Sequence, residues 1–201
     1  MKIIAISDLH NHKPEIPACD LLIIAGDLFN GFYHKLRQQP EWLENGYKFW
    51  INNLPAKEII FVPGNHDFMF QENRYAVKDI RWRVLIDDWT IINDLKIYGT
   101  PWQKGCWAFG TTEDELIDIM NKIPADTDII VSHAPPFGCC DNNFGCLQLK
   151  YQIEIIQPKL VVCGHVHEAF GQGKIKNTNV YNVAYVDKKY QPKNKPVEII
   201  F

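Results

Sequence analysis

Five short stretches of this sequence end in side chains able to bind metal ions: Ser7-Asp8-Leu9-His10, Gly26-Asp27, Gly64-Asn65-His66-Asp67, Ser132-His133 and Gly164-His165-Val166-His167. Each alone has an ordinary structural use. Asp8, Asp27 and Asp67 suit turns or helix caps, Asn65 after Gly64 suits a positive-φ turn, and His133 suits a packed loop. Together they form a donor set, because Asp8, His10, Asp27, Asn65, His66, His133, His165 and His167 are more side chains than one ion needs. Carboxylate, imidazole and amide oxygen in combination suit borderline divalent ions such as Mn²⁺, Fe²⁺ or Zn²⁺, and the lack of a matched thiolate set argues against a structural zinc or iron–sulfur site. Two such ions ~3.5–4 Å apart need a carboxylate that bridges them and ligands divided between the two sides. Asp27 is the natural bridge. On extended backbone, residues two apart point the same way, so His165 and His167 both face such a centre while Val166 turns into the core.

Each polar ending follows an apolar run rich in β-branched residues, at 2–7, 21–26, 58–64, 128–132 and 160–164. These runs lack the polar alternation of a strand with one wet face, so they read as strands buried on both faces. Helical patterns lie between several of them. Residues 40–54 place Trp42, Leu43, Phe49, Trp50 and Leu54 at roughly helical spacing behind Pro40, with a costly Gly46 inside. Residues 111–123 open with a threonine cap and an acidic first turn, and a weaker helix spans about 146–157 before Pro158. Residues 84–102 and 179–201 read as strands joined by tight turns. The chain is therefore α/β with added hairpins. In open α/β sheets ligands bind beyond the carboxyl ends of the strands, which brings the five polar endings to one place.

The chain has 201 residues, 46% hydrophobic and 22% charged, which fits one soluble domain over residues 1–201. A formal net charge of −3 gives no general attraction for nucleic acid, and the basic cluster Lys188, Lys189, Lys193 and Lys195 reads as a solvated loop. No apolar run is long enough to span a membrane, and Asp8 and His10 interrupt the N-terminus too early for a secretory signal, so a cytoplasmic protein is expected. The six cysteines lack C-x-x-C spacing and are expected as free thiols.

The order D-x-H, G-D, G-N-H-D, S-H, G-H-x-H, spanning residues 8–167, resembles that of the calcineurin-like metallophosphoesterase superfamily. The resemblance implies two packed, mixed β-sheets flanked by helices. It also implies that Asp8, His10 and His167 hold one ion, that Asn65, His133 and His165 hold the other, and that Asp27 spans both. His66 then stands outside the ligand set as the general acid that protonates the leaving oxygen after a metal-bridging hydroxide attacks phosphorus.

Among family members the segments at 98–103, 132–141, 145–146, 158–171 and 182–201 look most like the small metallophosphoesterase-domain-containing branch of the 239AB type. Some members of that branch carry glycine where this chain has His165, which weakens one metal site and leaves a nucleotide binder rather than a catalyst. The serine/threonine phosphatase branch continues its G-D motif with an aspartate and an arginine that grips phosphate, whereas this chain reads Asp27-Leu28-Phe29-Asn30-Gly31. His34 or Arg37 could replace that arginine, but they read more readily as loop surface. Without the bidentate clamp a small or cyclic nucleotide-like phosphodiester is the expected small-molecule substrate. Asn65, Asn30, Trp102 and Phe137 are the expected substrate contacts, in loops 29–33, around Trp102 and Trp107, and 137–144, although Trp102 and Trp107 equally suit packing against the sheet. No basic stripe accompanies the site, so no long nucleic-acid groove is expected. A metal-dependent nucleotide-binding or scaffold protein and a phosphomonoesterase are the competing readings.

Overall fold

A computed structural model describes residues 1–30, 38–72, 79–105 and 107–201. His34, Arg37, Cys106 and most of the loop 29–33 lie outside the described residues. The first sheet holds β1 (Lys2–Ile6), β2 (Cys19–Ile24), β3 (Ala56–Phe61) and β4 (Arg83–Val84), all parallel, with β13 (Val197–Ile200) antiparallel beside β1. The second sheet runs in the order β11 (Gly171–Ile175), β12 (Thr178–Asn182), β10 (Leu160–Cys163), β9 (Ile129–Ser132), β6 (Leu95–Thr100), β5 (Asp88–Ile92). Its inner strands are parallel and its two edges, β5 and β11, are antiparallel. A two-stranded ribbon, β7 (Gln103–Lys104) with β8 (Gly110–Thr111), stands apart from both.

The period-2 alternation of side chains decides how the layers stack. In β1, Ile3 and Ala5 face the second sheet, where they meet a layer that includes Ile97, Ile129, Val131, Leu160 and Val162. Ile4 and Ile6 point the other way, into a second cluster with Leu43, Tyr47 and Ile51. The outer face of the second sheet buries Ile130, Val161 and Val180 against α4 (Glu113–Met120) and α5 (Leu147–Ile156). Both faces of both sheets are therefore covered, as the uninterrupted apolar runs required. The result is a pair of mixed sheets flanked by helices.

The first helical stretch departs from the simple pattern. It comprises α1 (Gln39–Trp42), a π-helical turn over Leu43–Tyr47 and α2 (Lys48–Asn52). The wider turn takes up the costly Gly46 and advances the register, so Leu43, Tyr47 and Ile51 form the buried face. Phe49, expected on that face, is 77% exposed for this reason. α4 begins with a capping box in which Thr112 and Glu115 satisfy each other's backbone N–H groups. A short helix, α3 (Phe68–Gln71), follows the Asn65-His66-Asp67 segment. No helix among the described residues is long and apolar enough to cross a membrane.

Candidate metal centre

The parallel strands β1, β2, β3, β9 and β10 run in one direction, so their carboxyl ends lie along one edge of the sandwich. The backbone there is tied strand to strand: Asp8 N–H donates to Gly26 O at 2.9 Å, His10 N–H to Asp27 O at 3.0 Å and Gly164 N–H to His133 O at 2.9 Å. Asp8, His10, Asp27 and His165 each hold a positive φ, at 55°, 41°, 55° and 67°. Left-handed backbone costs a non-glycine residue roughly 1–2 kcal/mol, and it appears here at four positions that aim polar side chains at one point. Glycine is required where layers touch most closely. A Cβ on Gly26 would collide with the His133 ring, and one on Gly164 with Ser7 and the Asp8 carboxylate.

Ligand atoms of Asp8, His10 and His167 lie within 4.8 Å of one another, as do those of His10, Asp27 and His66 and those of Asp8, Asp27 and His133. Asp27 sits between two halves. Its Oδ2 is 3.7 Å from His10 Nε2, 3.4 Å from His133 Nε2 and 3.8 Å from His66 Nε2. On one side His10 Nε2 faces His167 Nε2 at 3.2 Å, and His167 Nε2 is 3.3 Å from Asp8 Oδ1. On the other side the Asn65 Oδ1 lies 2.9 Å from His133 Nε2 and 2.8 Å from His165 Nδ1. His165 thus joins the cluster through the carboxamide of Asn65.

The orientation of the rings shows that these groups fit a cation. His10, His133 and His167 each place Nδ1 against a backbone carbonyl, of Phe29 at 3.2 Å, Ala25 at 2.9 Å and Asp187 at 3.0 Å. Those contacts take the Nδ1 proton of a neutral ring, which leaves the Nε2 lone pair pointing inward. His10 and His167 then oppose two lone pairs at 3.2 Å, and His133 sets one against the oxygens of Asn65 and Asp27. Acceptor facing acceptor is repulsive until a positive charge stands between them, which divalent ions supply. The titration behaviour agrees. Burial, the largest single effect, pushes His133 down, but the charge and hydrogen bond of Asp27, the charge of Asp8 and the Ala25 carbonyl together raise the ring to about 9, so a proton is held where a cation belongs. Burial pushes Asp27 up, yet the imidazoles of His133 and His66 hold it well below the usual carboxylate range. His10 and His165 are pushed down to about 4, chiefly by burial.

His66 has a different placement. Its backbone N–H donates to Asp27 Oδ1 at 2.8 Å, its carbonyl accepts from Gln39 Nε2 at 2.6 Å, and its ring lies between His10 and Trp107, each centroid 5.0 Å away. Asp67 is fully buried and works on the backbone, accepting from Leu28, Phe29 and Gly64 N–H at 3.0, 3.2 and 2.8 Å. Burial, followed by the charge of Asp27, pushes its carboxyl up to about 7.

A cavity of about 490 Å³ opens over the centre, with Asp27, Asn65, His66, Trp107, Lys188 and Tyr190 in its wall. A second, of about 500 Å³, continues beyond His165 and is lined by Phe137. Of the expected substrate contacts, Asn65 and Phe137 reach these cavities, and Trp102 and Asn30 are not among the residues lining them. The Trp102 indole N–H is bound to Asp87 Oδ2 at 2.6 Å and its ring packs edge-on to Phe109, while Asn30 N–H donates to Asn11 Oδ1 at 3.3 Å. Sequence reasoning missed Tyr190, whose ring stands 4.5 Å from His10, 5.5 Å from His167 and 6.2 Å from His66. Its place in a lysine-rich tail carries no signal, because its contacts with His10 and His66 join segments far apart in the chain. Lys188, expected in solvent, is exposed but forms part of the rim.

Residues 1–169 match the family model described as calcineurin-like phosphoesterase. Human metallophosphoesterase domain-containing protein 1 is 28% identical over an alignment covering 98% of this chain and 70% of that protein. The UPF0046 protein T07D4.2 of Caenorhabditis elegans is 37% identical across 98% of this chain and 59% of its own length. Among solved structures, TT1561 of Thermus thermophilus shares the fold, with a TM-score of 0.60 at 15% identity over 90% of this chain and 88% of that one.

Proposed function

The chain belongs to the calcineurin-like phosphoesterase family, and from that premise we propose that it hydrolyses small phosphodiesters at a centre of two divalent ions. Family membership and the buried His/Asp cluster support metal-dependent phosphoester hydrolysis in general. The observation that carries the two-ion reading is the position of Asp27, whose Oδ2 lies within 3.4–3.8 Å of histidines on both sides of the cluster. Asp8, His10 and His167 would hold one ion, Asn65, His133 and His165 the other, and Asp27 both. When bound, such ions acidify a water and draw charge from phosphoryl oxygens. Manganese, iron and zinc all suit the donor set.

The remaining steps fall to the side chains. His66, beside Asp27 and open to the cavity, is placed to give a proton to the departing ester oxygen, and Trp107 forms the wall against which the leaving arm lies. Among the described residues the cations lining this cavity are Lys104 and Lys188, paired with Glu113 at 3.0 Å and Glu168 at 3.5 Å. Each is a single charge already offset by a glutamate, and neither offers the two-pronged grip of a guanidinium. A singly charged diester suits that rim better than a doubly charged monoester. Residues 1–201 serve as one catalytic unit in this reading, since β13 near the C-terminus pairs with β1.

The test is p-nitrophenol release from the bis-ester and from the monoester, with Mn²⁺ and with chelator. Chelator-sensitive turnover with kcat/KM higher for the diester supports the proposal. A ratio below one selects a monoesterase, and a metal-loaded protein that binds nucleotide without turning over either ester is a binding protein.

A further inference from the structure

The two cavities meet at a shared wall of Gln103, Lys104, Phe144 and His165. A ligand whose phosphoryl group lies at Asp27 and Asn65 therefore reaches the farther cavity past Gln103. Leu116 and Leu147 give that cavity apolar surface, and Phe137 and Phe144 add flat aromatic faces. Gln103 is only 4% exposed, and its backbone N–H is spent on Phe109 O at 3.1 Å. The Oε1 of its side chain is buried and has no hydrogen-bond partner among the described residues. Buried carbonyl oxygens almost always find a donor, and one without a donor is a cost that a ligand's N–H would remove once the carboxamide turns its oxygen to the cavity.

We propose that Gln103 is a specificity-determining residue, selecting diesters in which one arm is a planar ring with an N–H donor beside an acceptor, as in a nucleobase. This deepens the diesterase reading and rests on it. Turning the carboxamide about its last side-chain bond presents oxygen and nitrogen to the cavity in either order, a pairing that matches the edge of a base. A phenyl arm fills similar space between the aromatic faces and leaves Oε1 unpaired. Sites that hydrogen-bond their substrate reject analogues lacking the group far more strongly than apolar pockets do. His66 lines the nearer cavity and is not among the residues lining the farther one. Water oxygen thus forms the new bond to phosphorus, the ester bond on the Trp107 side breaks, and its oxygen takes the His66 proton. The arm held by Gln103 stays on phosphorus, so the product is a base-bearing monophosphate.

Calorimetric titration of the Mn²⁺-loaded protein with adenosine monophosphate and with phenyl phosphate tests this apart from turnover. The parent protein should bind the nucleotide about tenfold more tightly or better, and Gln103→Leu should reduce that ratio by about tenfold. Gln103→Glu keeps the shape and an acceptor, and should retain part of the preference even if the leucine variant fails to fold. Equal binding of the two ligands by the parent protein, or a folded Gln103→Leu that keeps the full preference, would overturn the proposal. Selective binding through Gln103 without hydrolysis of any diester supports it while refuting the diesterase reading.

Discussion

At the scale of single residues, His66 and the metal ligands differ in what their loss should do. His66→Asn should keep both ions by metal analysis and lower kcat by about 10²–10⁴, the usual contribution of a positioned acid. Depletion of metal in that variant would place His66 among the ligands instead. His133 gives a pH dependence. Its pKa in the folded protein is raised to about 9 from an ordinary 6.5, so it contributes stability that is complete below 6.5 and lost as pH rises through about 9. Chelator-treated protein should therefore melt at a lower temperature at pH 9.5 than at pH 6.5 by calorimetry, and His133→Asn should flatten that difference. The clustering of these side chains was legible because their types recur after every apolar run. The settings of Trp102, Tyr190 and Gln103 were not, since they depend on what other segments bring: Asp87 for Trp102, three histidines for Tyr190 and, among the described residues, no partner for the Gln103 oxygen.

At the scale of elements, the loops that carry ligands are fixed by buried polar side chains on neighbouring strands. Asn182, at the end of β12 and fully buried, donates to Cys140 O, Gly164 O and Val166 O at 3.1, 3.3 and 3.0 Å and accepts from Ala184 N–H at 3.2 Å. It sets the loop holding His165 and His167. Asn182→Leu should cost about 3 kcal/mol in urea unfolding by leaving several buried groups unpaired, and should weaken metal affinity by about 10–100-fold. An unchanged affinity would mean that the loop holds its shape without Asn182. The five buried strands could be read from their uninterrupted apolar runs, and the helix at α4 from its cap. The π-helical turn could not, because the advance in register that exposes Phe49 comes from packing on the first sheet. By contrast α5, expected over about 146–157, runs over Leu147–Ile156 behind Cys146, whose sulfur caps it by accepting from Leu149 N–H at 3.4 Å.

For the whole molecule, the inward-facing lone pairs tie stability to the ions. An ion present at about 100 times its Kd adds roughly 2.7 kcal/mol to the folded state, so chelation should lower Tm by about 5–10 °C for each ion lost. A Tm indifferent to chelator and to added Mn²⁺ would argue against a preformed centre. That the strands are covered on both faces followed from their uninterrupted apolar runs, whereas their division into two packed sheets was implied by the family resemblance alone, and the choice of neighbours, with β13 returning to β1, depends on connections whose path periodicity does not record. The left-handed backbone at four ligand positions carries a consequence for descent. Asp8 accepts from His165 N–H, Asp27 accepts from His66 N–H and the His10 ring contacts Phe29 O, so glycine at any of these would strand a backbone group. Among the described residues the His165 ring contacts Asn65 Oδ1 and the His133 ring, and its φ of 67° is one that glycine adopts freely. His165→Gly should leave the metal-free Tm within about 2 °C of the parent while metal analysis finds one ion fewer. Folding places no barrier at that position, so, on the two-ion reading proposed above, a lineage can exchange catalysis for binding in one substitution, and only selection on the second ion keeps the histidine.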